Sequence, residues 1–530
     1  MPCDYFYKLQ NNPQEEPLPD AKNSQGQGTK LTVLLALVTL VSTFGSSFQY
    51  GYNVSVINSP APFMQNFYNQ TYMDRYGTYM DNNFQTLLWS LTVSMFPLGG
   101  FFGSLLVGPL VNNCGRKGTL LINNLFSIVP AILMGTSEVA KTFEGIILSR
   151  IIIGINAGLS SNVVPMYLGE MSPKNLRGAI GVVPQLFITI GILVAQILGL
   201  KSILGNREGW PVLLGLTGIP AAVELILLPF FPESPRYLLI QKGNEEQARK
   251  ALQRLRGWDN VDDEIEEMCR EDQSEKQEGR LSVMNLCTFQ ALRWQLISII
   301  VMMMGQQLSG INGVFYYADR IFESSGVEKN AVQYVTVGIG AVNVVMTCLA
   351  VFIIELVGRR ILLLVGFGMC CVSCAVLTMA LNLQTSVSWM PYISIASVIT
   401  YIIGHAIGAS PIPFVLITEM FLQSSRPAAF MVGGSVHWLC NFTVGLVFLY
   451  MEQALGAYSF LIFCVICLAT VIYIFFIVPE TKNKTFMEIN QIMAKRNGVE
   501  VALGKEELMD INAIPGTWNE KKEVTVNSSV

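Results

Sequence analysis

Twelve apolar stretches, joined by polar connections and one longer charged insert, make up most of this chain. Each is long enough to cross a bilayer as an α-helix, for which about 20 residues suffice. Of the 530 residues, 51% are hydrophobic and 14% are charged, whereas soluble domains carry about 25% charged residues. We therefore predict an all-α membrane protein. Its twelve predicted transmembrane helices occupy residues 31–52, 86–111, 118–137, 143–167, 178–200, 211–231, 294–320, 332–356, 361–383, 391–418, 430–452 and 457–478.

Lys and Arg are shared unevenly between the two sets of connections. With the N-terminus in the cytoplasm, six of the 34 Lys and Arg residues fall in outside loops and Arg150 falls within a span. Because cytoplasmic loops of membrane proteins are enriched in Lys and Arg, this predicts that both termini are cytoplasmic. The loop at 53–85 is then extracellular, and its sequon Asn69-Gln-Thr71 is a predicted glycosylation site.

The polar segments complete the predicted domain organisation. The insert carries Glu and Lys at i, i+4 spacing, which is typical of exposed helices. The net charge of −4 argues against a nucleic-acid partner. The last residues, Ser528-Ser-Val530, match peptides that PDZ domains bind by strand addition, although such short matches are common by chance. The predicted segments are a cytosolic tail at 1–30, a six-helix bundle at 31–231, a cytosolic helical linker at 232–293, a second six-helix bundle at 294–478 and a cytosolic tail at 479–530.

Three motifs of the first half recur in the second half at nearly one spacing. The offsets are 243, 249 and 247 residues, which predicts two pseudo-symmetric halves of six helices. That is the plan of a transporter that rocks around a site at the bilayer midplane. The matched motifs are Gly115-Arg-Lys117 with Gly358-Arg-Arg360, the pair Glu170 and Arg177 with the pair Glu419 and Arg426, and Pro232-Glu-Ser-Pro-Arg236 with Pro479-Glu-Thr-Lys482.

Every repeated motif lies at a predicted cytoplasmic helix end and carries charge. These ends must meet when the cytosolic side is closed, so we predict that the motifs pair there and separate when it opens. Simple enrichment of positive charge on the inside is the alternative for any single residue. Pro411 and Pro413 add a predicted gate, because prolines within span 10 release backbone groups and permit bending. The predicted closing residues are Arg116, Glu170, Arg177, Glu233, Arg359, Arg360, Glu419, Arg426 and Glu480.

Span 7 is unusually polar for a membrane helix. At 100° per residue, Gln306 falls on one stripe with Gly310 and Gly313, and Asn312 flanks it. Amides are costly in hydrocarbon unless they are paired, so this stripe faces protein or a wet cavity. Neutral donors and acceptors suit a neutral polyhydroxylated ligand. The alternative, that Gln306 and Asn312 only bond to neighbouring helices, stays open, and more so for Gln307, which points off the stripe.

These motifs together resemble a known family. Pro232-Glu-Ser-Pro-Arg236, Pro479-Glu-Thr-Lys482 and Gln306-Gln-Leu-Ser-Gly-Ile-Asn312 are similar to the sugar porters of the major facilitator superfamily, and to the facilitative hexose transporters in particular. The resemblance covers roughly residues 30–500. It implies the major facilitator fold and passive hexose transport across the plasma membrane, apical in epithelium. Several stretches look closest to fructose-carrying members, so fructose is the expected substrate.

The resemblance also implies the residues of a sugar site. The two histidines lie within predicted spans, where an ionisable group is unusual. Phe414, Val314 and Ala409 depart from the pattern of fructose carriers, so a glucose-preferring or dual transporter stays open. The resemblance implies that Gln185, Gln306, Gln307, Asn312, Asn343 and Trp438 line the site, and that Tyr50, His405, Ser410 and His437 shape it toward fructose.

The energy source is predicted to be the sugar gradient itself. No Gly-x-x-x-x-Gly-Lys-Ser/Thr loop is present, so ATP-driven transport is not expected. Proton-coupled relatives resemble this chain but carry Asp where it has Asn53, which cannot cycle a proton. Glu224 is the spare carboxylate within a span, and it keeps a proton-coupled symporter among the alternatives, beside a non-transporting sugar sensor. No nucleophile–base pair, metal cluster or cofactor loop is seen, so neither an enzyme nor a cofactor is expected.

Overall fold

The computed structural model describes residues 30–278, 282–311, 314, 321–323 and 326–498. Asn312 lies outside these ranges, as do most of both tails. Within the described part the chain is helical and contains no β-strand. Ten helical runs in it are long and apolar enough to cross a membrane: Val33–Ser55, Asn82–Gly135, Glu144–Met171, Arg177–Leu198, Trp210–Phe230, Lys329–Val357, Arg359–Leu383, Met390–Met420, Arg426–Phe448 and Tyr450–Ile477.

The first half of the chain forms ten helices before the charged insert. Span 1 is broken by a π turn at Thr43–Ser47, and span 6 by a turn before Gly218. The helices are α1 (Val33–Ser42), α2 (Phe48–Ser55), α3 (Ala61–Tyr76), α4 (Asn82–Asn123), α5 (Leu125–Gly135), α6 (Ser137–Ala140), α7 (Glu144–Met171), α8 (Arg177–Leu198), α9 (Trp210–Gly215) and α10 (Gly218–Leu227).

The insert and the second half supply the remaining helices. The insert forms α11 (Glu245–Arg256), α12 (Asp262–Glu278) and α13 (Val283–Thr288). The second half forms α14 (Arg293–Leu308), α15 (Lys329–Val357), α16 (Arg359–Leu383), α17 (Met390–Gly404), α18 (Ile412–Met420), α19 (Arg426–Leu455), α20 (Ser459–Ile477) and, after the last span, α21 (Phe486–Asn497).

The ten runs account for eleven of the twelve predicted spans, all except span 7. The run Asn82–Gly135 contains both span 2 and span 3, which meet at a kink at Gly115. Span 7 begins as the 16-residue helix α14 and continues into residues that the structure does not describe. The prediction of an all-α membrane protein of two six-helix halves is confirmed.

Two glycines make the sharp turns that begin spans 3 and 9. Gly115 has φ 77° and Gly358 has φ 92°, a left-handed region that other residues enter only at a cost. Both have ψ near 180°, so the two halves repeat one backbone conformation. A side chain at either position would also meet a carboxylate, Glu233 in the first half and Glu480 in the second. The repeated Gly-Arg motif therefore has a backbone reason as well as a charge.

The insert folds as a small helical layer with its own apolar core. Leu239, Leu252, Ile265 and Met268 are buried together beneath α11 and α12. The outer faces carry the i, i+4 ion pairs that the sequence predicted, such as Glu246 with Lys250 at 2.9 Å. Such exposed pairs contribute little stability, so the buried residues hold this layer together.

The two halves share one hydrophobic cluster at the end that carries Gly115, Glu170, Gly358 and Glu419, which we call the charged end. There Val107 and Leu168 of the first half are buried in the same cluster as Leu416 and Phe421 of the second. Away from the charged end, each half has a separate cluster. Helix α4 packs against α19 and α8 against α15, which joins the halves along two sides. The molecule is thus closed at its charged end.

Candidate functional site

Glu170 is the centre of a buried ion-pair group at the charged end. Its carboxylate accepts hydrogen bonds from Arg116 of its own half at 3.0 Å and from Arg426 of the other half at 2.8 Å. The Ser234 hydroxyl also donates to it, at 2.5 Å. All three charged side chains are fully buried. One carboxylate therefore ties the two halves together in a place from which water is excluded.

Glu419 repeats this arrangement from the other half. It accepts a hydrogen bond from Arg359 of its own half at 2.9 Å and from Arg177 of the first half at 3.2 Å. The Thr481 hydroxyl takes the place that Ser234 has at Glu170. The sequence repeat is thus also a repeat of contacts, and each half offers one carboxylate to an arginine of the other.

Glu233, Glu480 and Arg360 form hydrogen bonds with described residues of their own half. Glu233 accepts from the main-chain N–H groups of Arg116 and Lys117, at the start of the helix after Gly115. Glu480 does the same for Arg359 and Arg360 at 3.0 and 3.2 Å. A carboxylate at a helix N-terminus satisfies N–H groups that have no partner within the helix. These two residues therefore fix the turns that position Arg116 and Arg359, the arginines that bind Glu170 and Glu419 within their own halves.

Phe486, at the start of α21, lies under this network. The guanidinium groups of Arg177, Arg236 and Arg426 each lie 4.5 Å from the centre of its ring. These three arginines come from the first half, the insert and the second half. A buried cation over an aromatic face is worth on the order of 2 kcal/mol. Sequence reasoning missed Phe486, because nothing in its local pattern distinguishes it from a core residue.

A second polar group lies within the membrane-spanning part, where α14 meets the π turn His405–Ala409. The Ser410 hydroxyl bonds to Nδ1 of His405 at 2.6 Å, and Nε2 of His405 lies 3.2 Å from the main-chain oxygen of Gln306. Nε2 of Gln306 donates in turn to the main-chain oxygen of Ser410 at 2.6 Å. His405 is buried with both ring nitrogens occupied. This group holds the broken span 10 against span 7.

One ring nitrogen of His437 has no hydrogen-bond partner among the residues that the structure describes. Its Nδ1 lies 2.8 Å from Oε1 of Gln306 and 3.3 Å from Nε2 of Gln307. Because an amide oxygen can only accept, the shorter contact requires that Nδ1 carry the proton. Nε2 is then an acceptor, and it is buried without a partner among the described residues. A buried acceptor without a donor is costly, and a ligand hydroxyl would satisfy it.

Trp438 reaches from the second half into the first. It is fully buried, and its indole N–H donates to the Ser161 hydroxyl at 3.3 Å. Tyr50 meets its ring edge-on at a centroid distance of 5.1 Å. Gly100 lies against the ring so closely that a Cβ atom there would overlap it. Trp438 also contacts His437, at 5.2 Å between ring centres, so the free nitrogen lies beside the contact between the halves.

The structure brings seven of the ten predicted site residues into one group, which we call the His437 cluster. Gln185 and Asn343 lie on α8 and α15, the pair of helices that joins the halves on the other side, and both are half-buried. No side-chain hydrogen bond ties either amide to another described residue. Asn312 lies outside the described residues. The members of the cluster are Tyr50, Gln306, Gln307, His405, Ser410, His437 and Trp438.

Three residues that depart from the family pattern have different surroundings. The ring of Phe414 meets that of His437 edge-on, with 5.4 Å between their centres. Val314 is fully buried in the hydrophobic cluster of the second half, and Ala409 in the cluster that the two halves share at the charged end. Phe414 is therefore the departure that touches the candidate site. Ser161 and Tyr401, whose hydroxyl bonds to Ser309 at 3.0 Å, are contacts that sequence reasoning missed.

The acidic residue within a span is held in the first half. Glu224 is fully buried and accepts a hydrogen bond from the Ser46 hydroxyl at 2.9 Å. Asn53 donates to the main-chain oxygen of Gln49 and to the Thr217 hydroxyl, both at 2.8 Å. Neither residue belongs to the His437 cluster, which contains no carboxylate.

The helical arrangement agrees with solved transporter structures. The proton:xylose symporter XylE bound to 6-bromo-6-deoxy-D-glucose matches with a TM-score of 0.77 at 24% identity, covering 87% of this chain and 99% of that one. A partially occluded inward-open form of the xylose transporter XylE from E. coli matches with a TM-score of 0.65 at 23% identity, covering 86% and 100%. At this identity the likeness defines the fold alone, which is that of the major facilitator superfamily.

Sequence comparison adds the family. The model of the sugar (and other) transporter family matches residues 38–493, and the chain belongs to that family. It is 68% identical over 483 residues to the solute carrier family 2, facilitated glucose transporter member 5, of Homo sapiens, which covers 91% of this chain and 96% of that protein. It is 57% identical over 496 residues to the member 7 protein of Homo sapiens, covering 94% and 96%. The chain is thus a multi-pass membrane transporter and not an enzyme.

Proposed function

We propose that this protein carries hexose, and fructose in particular, passively across the plasma membrane by alternating access. The observation that carries the proposal is the free nitrogen of His437, buried between two halves that ion pairs join at one end. Separation of Glu170 from Arg426 and of Glu419 from Arg177 would open the site at His437 toward the charged end. The similar proteins named facilitated glucose transporters support a hexose as the cargo.

A glucose-preferring or dual transporter is the second candidate. The favouring observation is the contact of Phe414 with His437, because a large ring at this position resembles the glucose carriers, whereas fructose carriers have a small residue there. Val314 and Ala409, buried in hydrophobic clusters, bear less directly on sugar choice. Fructose remains the first choice, because both histidines implied by the resemblance to fructose carriers lie in the cluster.

Passive transport is favoured over proton coupling. A proton-coupled carrier needs a carboxylate whose charge changes with the state of the site. Here Asn53 stands where proton-coupled relatives carry Asp, and the recorded partner of Glu224 is Ser46 rather than a member of the His437 cluster. The gradient of the sugar then supplies all of the driving force.

The expected affinity is weak, as release requires. A millimolar dissociation constant corresponds to about −4 kcal/mol. A few hydrogen bonds to sugar hydroxyls, worth about 0.5–1.5 kcal/mol each, would supply that amount. His437, Gln185, Asn343 and Asn312 are the proposed donors and acceptors, and Gln306 acts by holding His437.

The proposed orientation places the charged end and both termini in the cytoplasm. The distribution of Lys and Arg supports it. Asn69, in α3, is then extracellular and the proposed site of an N-glycan. An apical position in epithelium and a PDZ partner for residues 528–530 stay predictions from the sequence.

The test is uptake of labelled fructose and glucose into proteoliposomes, with and without an imposed proton gradient. We expect saturable fructose uptake that is the same with and without the gradient and that excess glucose barely inhibits. The variant Glu224→Gln should transport normally, because no proton has to cycle through it.

Other outcomes would redirect the proposal. Glucose uptake in place of fructose would mean that Phe414 outweighs the histidines. Uptake that rises with the proton gradient and is lost in Glu224→Gln would show a symporter. No uptake of either sugar, together with binding of sugar, would indicate a sensor.

A further inference from the structure

A small apolar cavity lies between α2, α8 and α10, in the half of the bundle away from the charged end. Its volume is about 190 Å³, larger than the roughly 150 Å³ cavity that holds a benzene molecule. Leu198, the last residue of α8, lines it, and so does Ile219, whose side chain is 56% exposed on the surface that faces lipid. The cavity therefore borders the bilayer and is separate from the His437 cluster.

One polar atom in the wall of this cavity has no partner. Gln49 is fully buried and lines the cavity. The Ser127 hydroxyl bonds to Oε1 of Gln49, and Nε2 is left without a hydrogen bond among the described residues. Of the two hydroxyl groups in the wall, that of Tyr52 donates to the main-chain oxygen of Leu213, and that of Thr217 accepts from the Asn53 amide. The amide of Gln49 is therefore a place where a ligand would gain a hydrogen bond.

The free end of the amide selects a hydroxyl group. As assigned, Gln49 offers an N–H donor to the cavity; with the amide turned over, it offers an oxygen acceptor. A hydroxyl both donates and accepts, so it fits either orientation. The wall is largely apolar, and water does not settle in apolar cavities. An acyl chain offers no hydrogen bond, and no charged residue lines the cavity to bind a phosphate or carboxylate.

Three aromatic side chains of span 1 line the cavity beside this amide. Phe44, Phe48 and Tyr52 recur every four residues and so lie along one stripe of the helix. The ring centres of Phe44 and Phe48 are 5.2 Å apart. Those of Phe48 and Tyr52 are 6.3 Å apart, and these two rings are stacked. Such a stripe packs well against a rigid, elongated apolar body. A cavity of this size holds one end of such a molecule, and the rest extends into the bilayer.

We propose that this cavity binds a membrane sterol, with its single hydroxyl on Gln49 and its ring system along Phe44 and Phe48. The site lies on the lipid-facing side of the first half. Its occupancy is measured by binding, so its test is independent of the sugar that the protein carries.

The experiment uses the full chain in lipid nanodiscs with a photoreactive, clickable sterol as the probe. We expect labelled peptides from α2, α8 and α10, and loss of label when excess unlabelled sterol is present. The parent hydrocarbon without the hydroxyl should not compete. Ile219→Trp should fill the cavity and lower the labelling at least about fivefold.

A matched control lies on the same helix. Ile226 is 67% exposed on α10 and does not line the cavity, so Ile226→Trp should label like the unchanged protein. Gln49→Leu should abolish the preference for the alcohol over the hydrocarbon. Equal labelling of the two tryptophan variants, label spread over all lipid-facing helices, or labelling by a photoreactive phospholipid at these peptides would overturn the proposal.

Discussion

Single residues decide how the two halves meet around the candidate site. Trp438 of the second half occupies the space that Gly100 leaves open on the first, and His437 beside it presents a free nitrogen. Neither role is visible in the local pattern of span 2 or span 11. Both roles follow from the contact between span 2 and span 11.

Gly100→Ala tests the close contact with Trp438. The new methyl group would overlap the indole ring, so the ring or the helix has to move, and overpacking of this kind costs about 1–3 kcal/mol. We expect sugar uptake to fall at least about tenfold at equal surface expression. Gly368→Ala on α16 is the control, because no described atom lies within 4 Å of the position of its Cβ. Equal uptake by the two variants would contradict the role given to Trp438.

His437→Phe tests the free nitrogen. Phenylalanine is a ring of similar size that lacks both the acceptor and the Nδ1–H that bonds to Gln306. Loss of the hydrogen bond to the sugar, about 1.4 kcal/mol, should raise the KM for fructose at least about tenfold. His437→Gln restores an acceptor and should recover part of the affinity. A KM for fructose that is unchanged in the phenylalanine variant would remove His437 from the site. Initial rates of uptake over a range of fructose concentrations give the KM of both variants.

At the scale of elements, the short helices outside the bundle are tied to the charged end. Helix α12 reaches the second half through Glu271 and Glu275, which accept from the main-chain N–H groups of Gln423 at 2.9 Å and Ser424 at 2.6 Å. Helix α21 is tied through Phe486 and its three arginines. Both helices must release some of these contacts when the charged end opens.

The docking of α12 should depend on pH. Burial, with the charge of Glu271 adding to it, raises the pKa of Glu275 to about 8 from its ordinary value of 4.5. Glu275 of the docked helix therefore binds a proton more tightly than Glu275 of a released helix. The contribution of Glu275 to the stability of docking is complete below pH 4.5 and is lost as the pH rises through about 8. After correction for the intrinsic exchange rate, we expect hydrogen exchange at residues 421–425 to be faster at pH 8.5 than at pH 6.5.

Two substitutions on α12 separate this effect from a general loosening. Glu275→Gln imitates the protonated form, so exchange at 421–425 should no longer change with pH beyond the intrinsic rate. Glu266→Gln alters an exposed ion pair with Arg270 and should leave the pH dependence intact. The same pH dependence in both variants would contradict the assignment to Glu275.

Phe486→Leu tests the docking of α21. Leucine keeps an apolar side chain and removes the aromatic face from three buried guanidinium groups, so α21 should dissociate more readily. We expect faster hydrogen exchange throughout α21 and a larger population open at the charged end. Phe486→Tyr keeps the face and serves as the control. Unchanged exchange in the leucine variant would mean that apolar burial alone holds the helix.

At the scale of the whole molecule, the pseudo-symmetric halves meet through matched ion pairs. Each half supplies one buried carboxylate and one arginine that crosses to the other half. Both pairs are buried in the closed molecule, and opening would hydrate their charges. Hydration would offset part of the Coulomb energy lost, so the pairs would bias the two states without locking either. The apolar contacts at the charged end add to this bias, and transport needs both to be reversible.

Arg177→Ala and Arg426→Ala should act alike. Each removes one cross-half partner and leaves its carboxylate with the arginine of its own half, so the closed state should lose about 1.4 kcal/mol, a tenfold change in population. Spin labels across the charged end would report the longer distance by pulsed electron resonance. Arg254→Ala, at an exposed arginine bonded to the main-chain oxygen of Phe230, is the control. Clearly unequal effects of the first two substitutions would argue against a symmetric closure.

Much of the architecture was readable from the sequence because it depends on local periodicity and on repeats. Apolar stretches of about 20 residues define spans, and motifs repeated at nearly one offset define two halves. The motifs that contain Gly115 and Gly358 were recognised as a repeat, and the structure adds that both glycines have positive φ. The sequence also identified both arginine–carboxylate sets and seven residues that now form one cluster.

The tertiary structure alone decided which partners meet, because that choice depends on how segments far apart in the chain pack. It joined Glu170 to Arg426 and made Gln306 a support for His437. It placed Phe486 under three arginines and assigned Glu233 and Glu480 to helix starts. A one-dimensional pattern shows which groups need a partner, and only the packed bundle shows which group supplies it.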